Sequence, residues 1–220
     1  MASAAREDMG PLFRDRRDAG RRLAALLGEF ATRPDVIVLA LPRGGVPVGF
    51  EIASELRIPL DVFVVRKLGV PWHEELAMGA LASGGVIVLD DEVIRELHVS
   101  DADVRDVIRA EQQELQRREQ EYRSDRPFVD LTGKTVILVD DGLATGSTMR
   151  AAVAALRKQR PARIVVAVPV GAPETCEALE QIADDVVCAA QPASFNAVGL
   201  WYQDFSQTTD DEVRELTRRV

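Results

Sequence analysis

Cysteine is scarce in this sequence: only Cys176 and Cys188 occur in 220 residues, and their spacing suits neither a metal site nor a redox motif. A reduced thiol pair in a cytoplasmic protein is the expectation. Long hydrophobic runs are missing as well. The longest, Val36–Leu41, is far too short to cross a bilayer, which excludes a membrane-spanning helix. The first residues include Arg6, Glu7 and Asp8 in place of a basic start and an apolar stretch, so no signal peptide is expected. Positive charge is in deficit, with a net charge of −9, and this argues against nonspecific nucleic-acid binding as the main task. There is no G-x-G-x-x-G, no internal repeat and no low-complexity tract. What remains is a chain with 46% hydrophobic and 29% charged residues, the balance of a water-soluble protein with a core. Its length suits one domain over residues 1–220. The charge balance still leaves room for a local basic pocket that takes a phosphorylated metabolite.

The apolar pattern alternates between strands and helices. Residues 17–29 place Ala19, Leu23, Leu26 and Leu27 on one helical face. Short β-branched runs predict strands at Val36–Ala40, Asp61–Val65, Val86–Leu89, Thr135–Val139, Arg163–Pro169 and Asp185–Cys188. Helices are expected at Pro47–Leu56, Asp101–Tyr122, Thr148–Gln159 and Glu174–Ile182. The long one carries a thin stripe of Val104, Ile108, Leu115 and Tyr122 and a cap at Ser100 or Asp101. Strands that alternate with helices imply an α/β fold, a mostly parallel sheet with helices on both faces. In such sheets ligands sit beyond the carboxyl ends of the strands.

One segment at such an end is rich in chemistry. Val136-Ile137-Leu138-Val139 reads as a strand buried on both faces, and Asp140-Asp141 follow directly, where burying two carboxylates for stability alone is costly. The next residues, Gly142-Leu143-Ala144-Thr145-Gly146-Ser147-Thr148, form a small, hydroxyl-rich turn that opens a helix. Backbone N–H groups at that helix start, with the hydroxyls of Thr145, Ser147 and Thr148, make a cradle for a phosphate monoester. Asp140 and Asp141 could accept hydrogen bonds from two sugar hydroxyls. Rival motifs fail. Gly133-Lys134-Thr135 imitates the end of a P-loop, but Phe128 stands in place of its first glycine and a strand follows rather than precedes it.

This stretch resembles the signature of type I phosphoribosyltransferases, which bind phosphoribosyl pyrophosphate (PRPP): four hydrophobics, two acids, two further residues and a Thr/Gly/Ser run. The resemblance spans roughly residues 36–200. It implies the type I phosphoribosyltransferase fold, with a core at about 36–190 and a small hood over the site from the terminal segments 1–30 and 190–220. It gives Asp140 and Asp141 the ribose hydroxyls and Ala144, Thr145, Gly146, Ser147 and Thr148 the 5′-phosphate. Some purine-salvage members carry an acid where Ala144 stands; alanine cannot move a proton, so that route to a general base is closed here.

Two looser segments support the resemblance. Pro42-Arg43-Gly44-Gly45 follows the first strand; paired glycines admit an anion close to the backbone and Arg43 offers bidentate donors. The family binds pyrophosphate here, which implicates Arg43, Gly44 and Gly45, together with Lys67. Arg66 and Lys67 follow the second strand, where two cations could neutralise a diphosphate leaving group. A mobile cover over the reaction is expected at about 67–80, a segment that includes His73, Glu74 and Glu75. Near the C-terminus, Phe195, Trp201, Tyr202 and Phe205 either stack on a planar base or pack a small subdomain.

By this resemblance the chain transfers a 5-phosphoribosyl group from PRPP to a nitrogen nucleophile, with Asp140, Asp141, Arg43, Arg66 and Lys67 in the catalytic roles. Mg²⁺ is the implied cofactor, held mostly by PRPP and water with weak help from Asp140 and Asp141. The implied partners are PRPP and a small-molecule acceptor, without nucleic acid or membrane, and dimers among relatives allow a homodimer. The rival reading is a PRPP- or nucleotide-binding regulator without turnover. A phosphohydrolase would need a nucleophile or a two-metal cluster, and the sequence offers neither.

Overall fold

The computed structural model describes residues 10–123 and 126–219. The first nine residues of the expected hood and the side chain of Glu74 lie outside the described part. In chain order the elements are α1 (Arg16–Leu26), β1 (Val36–Ala40), α2 (Gly45–Leu56), β2 (Leu60–Val62), β3 (Val65–Val70), β4 (His73–Ala82), β5 (Val86–Leu89), α3 (Asp91–Glu96), α4 (Asp101–Arg123), β6 (Thr135–Val139), α5 (Ser147–Lys158), β7 (Arg163–Val170), α6 (Pro173–Glu180), β8 (Asp185–Ala190) and α7 (Asp210–Thr217).

Five strands form a parallel sheet in the order β2-β1-β6-β7-β8. The uninterrupted apolar runs of β1 and β6 follow from burial on both faces. Val36, Val38, Ala40, Ile137 and Val139 face one core with α1, α2 and α7. Ile37, Leu39, Val136 and Leu138 face the other, under α5 and α6. This is the expected α/β architecture, with helices on both sides.

The packing is tight where the site is built. A Cβ on Gly20 of α1 would lie 2.7 Å from the carbonyl oxygen of Val48, so α1 lies directly on α2. On α1, Ala19, Leu23 and Leu27 are buried, but Leu26 is 56% exposed. The expectation for Leu26 fails because the buried line runs i, i+4, i+8 from Ala19 and Leu26 falls one step off it. α4 keeps its thin stripe: Val104, Leu115 and Tyr122 are buried and Ile108 is partly so. Its cap is Ser100, whose Oγ accepts from the Asp103 N–H at 3.2 Å.

Two further expectations change. The strand expected at Asp61–Val65 is split: β2 ends at Val62 and β3 begins at Val65. The cover expected at 67–80 is an antiparallel hairpin, β3 with β4, which continues to β5. Its period is interrupted by register shifts around Gly69 and by Gly79, whose missing side chain lets β5 approach; a Cβ there would lie 2.3 Å from the Val88 carbonyl oxygen. Those interruptions hide the alternation from the sequence.

The terminal segments form a small third cluster of Phe13, Ala19, Val170, Trp201 and Tyr202. Phe13 pairs with Tyr202 in a parallel bridge, and the Gln203 N–H donates to the Phe13 carbonyl at 2.8 Å. The C-terminal aromatics pack on each other and on the N-terminal segment: Phe195 is stacked on Trp201 at 6.3 Å, and Tyr202 lies tilted against Phe13 at 5.4 Å and Phe205 at 5.0 Å. The two thiols the sequence leaves unrelated both lie against Gly171, and Cys188 Sγ donates to the Ala190 carbonyl at 3.1 Å.

Candidate active site

β1 and β6 are neighbours whose outgoing connections part. β1 leads to β2 on one side, while β6 leads to β7 and β8 on the other. That is a topological switch point, and the loops that leave it bound a crevice at the carboxyl ends of the strands. These are the Pro42–Gly45 loop and the 140–146 loop.

The two loops are in contact. Leu41 N–H donates to the Val139 carbonyl at 2.9 Å. A Cβ on Gly45 would lie 2.6 Å from the Val139 carbonyl oxygen and 2.9 Å from Asp140 Cα, and one on Gly44 would lie 2.0 Å from Asp141 Oδ2. The paired glycines are therefore needed for this approach, whether or not an anion binds. The Pro42–Arg43 peptide is cis.

The second loop holds an open helix start. Gly146 takes φ 67°, a left-handed conformation that suits glycine, and provides no side-chain cap for α5. Arg150 N–H is bonded to the Gly146 carbonyl at 2.8 Å, so the N–H groups of Ser147, Thr148 and Met149 precede the intrahelical ladder. Asp140, residues 142–149 and Val198 line a cavity of about 150 Å³ at this place. The loop is braced from below. Leu143 N–H donates to Val170, Ala172 N–H donates to Leu143, and Thr175 Oγ1 donates to the Ala144 carbonyl at 2.7 Å.

The two acids face different surroundings. Asp140 lines the cavity, and its Oδ1 accepts from the Asp141 N–H at 2.8 Å. Burial, and then the neighbouring Asp141 charge, hold the Asp140 carboxyl well above its ordinary value. Asp141 turns toward Gly44 and α1, where Arg16 Nε donates to its Oδ2 at 2.8 Å. Burial raises Asp141 too, and Arg16 opposes that rise. Tyr202 Oη donates to the Asp141 carbonyl at 2.6 Å. Arg16 and Thr175 are site-shaping residues that the sequence pattern does not reveal, and Tyr202, expected only as a stacking or packing ring, acts here through its hydroxyl. Each reaches the loop from a remote segment, and none carries a motif of its own.

The expected cations fare unevenly. Arg43 lies beside the crevice but is paired with Asp210 at 3.6 Å, both about one third exposed. Arg66 is engaged by a neighbouring helix. Its Nε donates to Glu111 of α4 at 2.6 Å, while Lys67 is exposed. Adjacent residues of a strand point to opposite faces, so Arg66 and Lys67 cannot converge on one diphosphate from β3 as it stands.

A protein-held Mg²⁺ site does not fit these residues. Among the described residues no group of three or more His, Cys, Asp and Glu is placed to hold a metal ion, and Asp141 already has a guanidinium against it. Any magnesium would have to be carried by the diphosphate and water.

The model of the phosphoribosyl transferase domain matches residues 72–203, and the chain belongs to that family. The protein TT1426 of Thermus thermophilus has a similar crystal structure, with a TM-score of 0.83 and 41% identity, over 93% of this chain and 97% of that one. The provisionally named phosphoribosyl transferase Rv0571c of Mycobacterium tuberculosis H37Rv is 50% identical over 202 residues, which are 92% of this chain and 45% of that protein. The chain thus spans about half the length of this curated relative. A 47-residue segment is 57% identical to the "Bifunctional protein PyrR" of Chloroflexus aurantiacus, over 21% of this chain and 25% of that protein.

Proposed function

We propose that this chain transfers the 5-phosphoribosyl group of PRPP to a nitrogen nucleophile, with a nucleobase as the acceptor class, and releases pyrophosphate. The observation that carries the reading is the 150 Å³ cavity, where a buried strand delivers Asp140 beside an uncapped helix start. A 5′-phosphate fits the N–H groups and hydroxyls of 144–148, and the ribose then lies over the acids. The anomeric carbon gains cationic character as the C1–O bond to pyrophosphate breaks, and a nearby carboxylate stabilises it. Gly44 and Gly45 leave room for the diphosphate, with Arg43 at its edge. Lys67 is the exposed cation on the hairpin that could meet the leaving group when that hairpin moves.

The second reading, a regulator that binds PRPP or a nucleotide without turnover, is favoured by one observation. Position 144 is alanine, and among the described residues Asp140 is the only ionisable side chain lining the cavity, so none of them stands there as a separate general base. The experiment that decides is pyrophosphate release from Mg·PRPP with a panel of purines, pyrimidines and ammonia. Release that depends on one acceptor supports the transferase. Saturable PRPP binding with no release for any acceptor supports the regulator, and absence of PRPP binding defeats both.

A further inference from the structure

Arg16 is fixed from three directions. Its Nε donates to Asp141 Oδ2 at 2.8 Å, its Nη1 donates to the Ser206 carbonyl at 2.6 Å, and its guanidinium carbon lies 3.9 Å from the centre of the Phe205 ring. The Arg16 side chain is 12% exposed and that of Asp141 16% exposed, so this pair is largely withdrawn from water. Asp141 Oδ2 is closed on a second side by Gly44, whose Cβ position would lie 2.0 Å away. Among the described residues no side chain donates to Asp141 Oδ1. The carboxylate is therefore held by one oxygen and offers the other. Its place beside Gly44 puts it on the diphosphate side of the sugar. Because the diphosphate is carried on C1, the hydroxyl nearest to Asp141 is the one on C2.

We propose that Arg16 is a positioning residue for sugar recognition, clamping one oxygen of Asp141 so that the other meets the 2-hydroxyl of a bound ribose 5-phosphate unit. This rests on the phosphoribosyl reading of the site. It ties sugar selectivity to the terminal hood: Arg16 comes from α1, and Ser206 and Phe205 come from the C-terminal segment. Without the clamp the Asp141 carboxylate is free to rotate about its side-chain bonds. Its contact with the 2-hydroxyl is then averaged away, while the phosphate cradle at 144–148, further along the same loop, keeps its own bracing from Thr175 and Val170.

The test compares ribose 5-phosphate with 2-deoxyribose 5-phosphate by calorimetry on the full chain. The wild type is expected to prefer ribose 5-phosphate by roughly tenfold or more, the scale of one hydrogen bond to a charged group. In Arg16→Gln that preference should fall to about twofold or less, with affinity for the deoxy sugar nearly unchanged. Arg16→Lys keeps the charge but loses the planar fork, and should recover part of the preference. A wild-type preference in Arg16→Gln overturns the proposal. So does an equal weakening of both sugars, which would mark a merely structural arginine, or a tighter ribose 5-phosphate, which would mark a competitor for the site. If Arg16→Gln does not fold, Phe205→Leu removes the ring under the guanidinium and leaves both charges. The preference should then fall part-way in Phe205→Leu and Arg16→Lys alike, and an unchanged preference in the two overturns the proposal. A wild type that binds neither sugar defeats the phosphoribosyl reading itself, a different outcome from intact selectivity in the variant.

Discussion

Replacing Gly44 with alanine adds one methyl group at a point where the structure has no room for it. The residue has φ −60° and ψ −34°, so the backbone accepts alanine without strain and the effect is steric alone. The new Cβ would stand 2.0 Å from Asp141 Oδ2, 2.6 Å from its Cγ and 3.3 Å from Arg16 Nε. All three belong to side chains, so the carboxylate can swing away, and in doing so it gives up its bond to Arg16. Losing one charge-assisted hydrogen bond in a mostly buried pair costs about 1.5–3 kcal/mol. For a chain of this size each kcal/mol lowers Tm by roughly 2–4 °C, so the melting point should fall by roughly 3–12 °C. The same displacement takes an acceptor from the sugar, and affinity for ribose 5-phosphate should fall by roughly 10- to 100-fold. Gly45→Ala is the control. Its Cβ would meet the Val139 carbonyl oxygen and Asp140 Cα, backbone that cannot rotate aside. It should therefore destabilise the fold more than Gly44→Ala, despite alanine's helix preference of about 1 kcal/mol over glycine. Differential scanning fluorimetry with calorimetric titration reads both quantities. A Gly44→Ala protein that melts and binds as the wild type does would refute the reasoning.

Asp140→Asn should stabilise the ligand-free protein. Burial and the Asp141 charge raise the Asp140 carboxyl above its ordinary 3.8, so the folded state holds a proton that the unfolded chain releases first. The associated stability is full below the unfolded value and is lost as pH rises through the folded one. Asparagine stays neutral and keeps an oxygen for the Asp141 N–H, so its Tm advantage should be largest near pH 7.5 and shrink toward pH 4. A melting series in which the variant is never above the wild type contradicts this. Thr175→Val removes the bond to the Ala144 carbonyl while it keeps the methyl group against Gly146. It should weaken ribose and deoxyribose 5-phosphates by a similar factor, about threefold to tenfold, as a loss of bracing under the phosphate cradle. Selective loss of one sugar would count against that account. Lys67→Ala should leave Tm unchanged, since the side chain is exposed, and reduce pyrophosphate release by roughly 10²-fold; an unaltered rate removes Lys67 from the mechanism.

The parts of the site that were legible in the sequence are local ones. The motif Val136–Thr148 occupies thirteen consecutive residues, and a strand end, an acid pair and a helix start can be recognised without knowing what packs around them. β1 and β6 were placed at their observed bounds for the same reason: a fully buried strand reads as an unbroken apolar run. What the sequence could not show is the pairing of charges. It offered Arg43 and Arg66 as cations for a diphosphate and Asp141 as a free acceptor, yet Asp210, Glu111 and Arg16 engage them from 45 to 167 positions away. Exposure decides which of these pairs a ligand can break. The Arg43–Asp210 contact is 3.6 Å long and about one third exposed, an arrangement worth little in water, so on the proposed reading a diphosphate would displace Asp210 at little cost. Arg16–Asp141 is shorter and mostly buried, and parting it strands a charge. On the proposed reading, a phosphorylated sugar that enters this crevice would meet an arginine it can recruit at one edge and, beside Gly44, an acid already set in place.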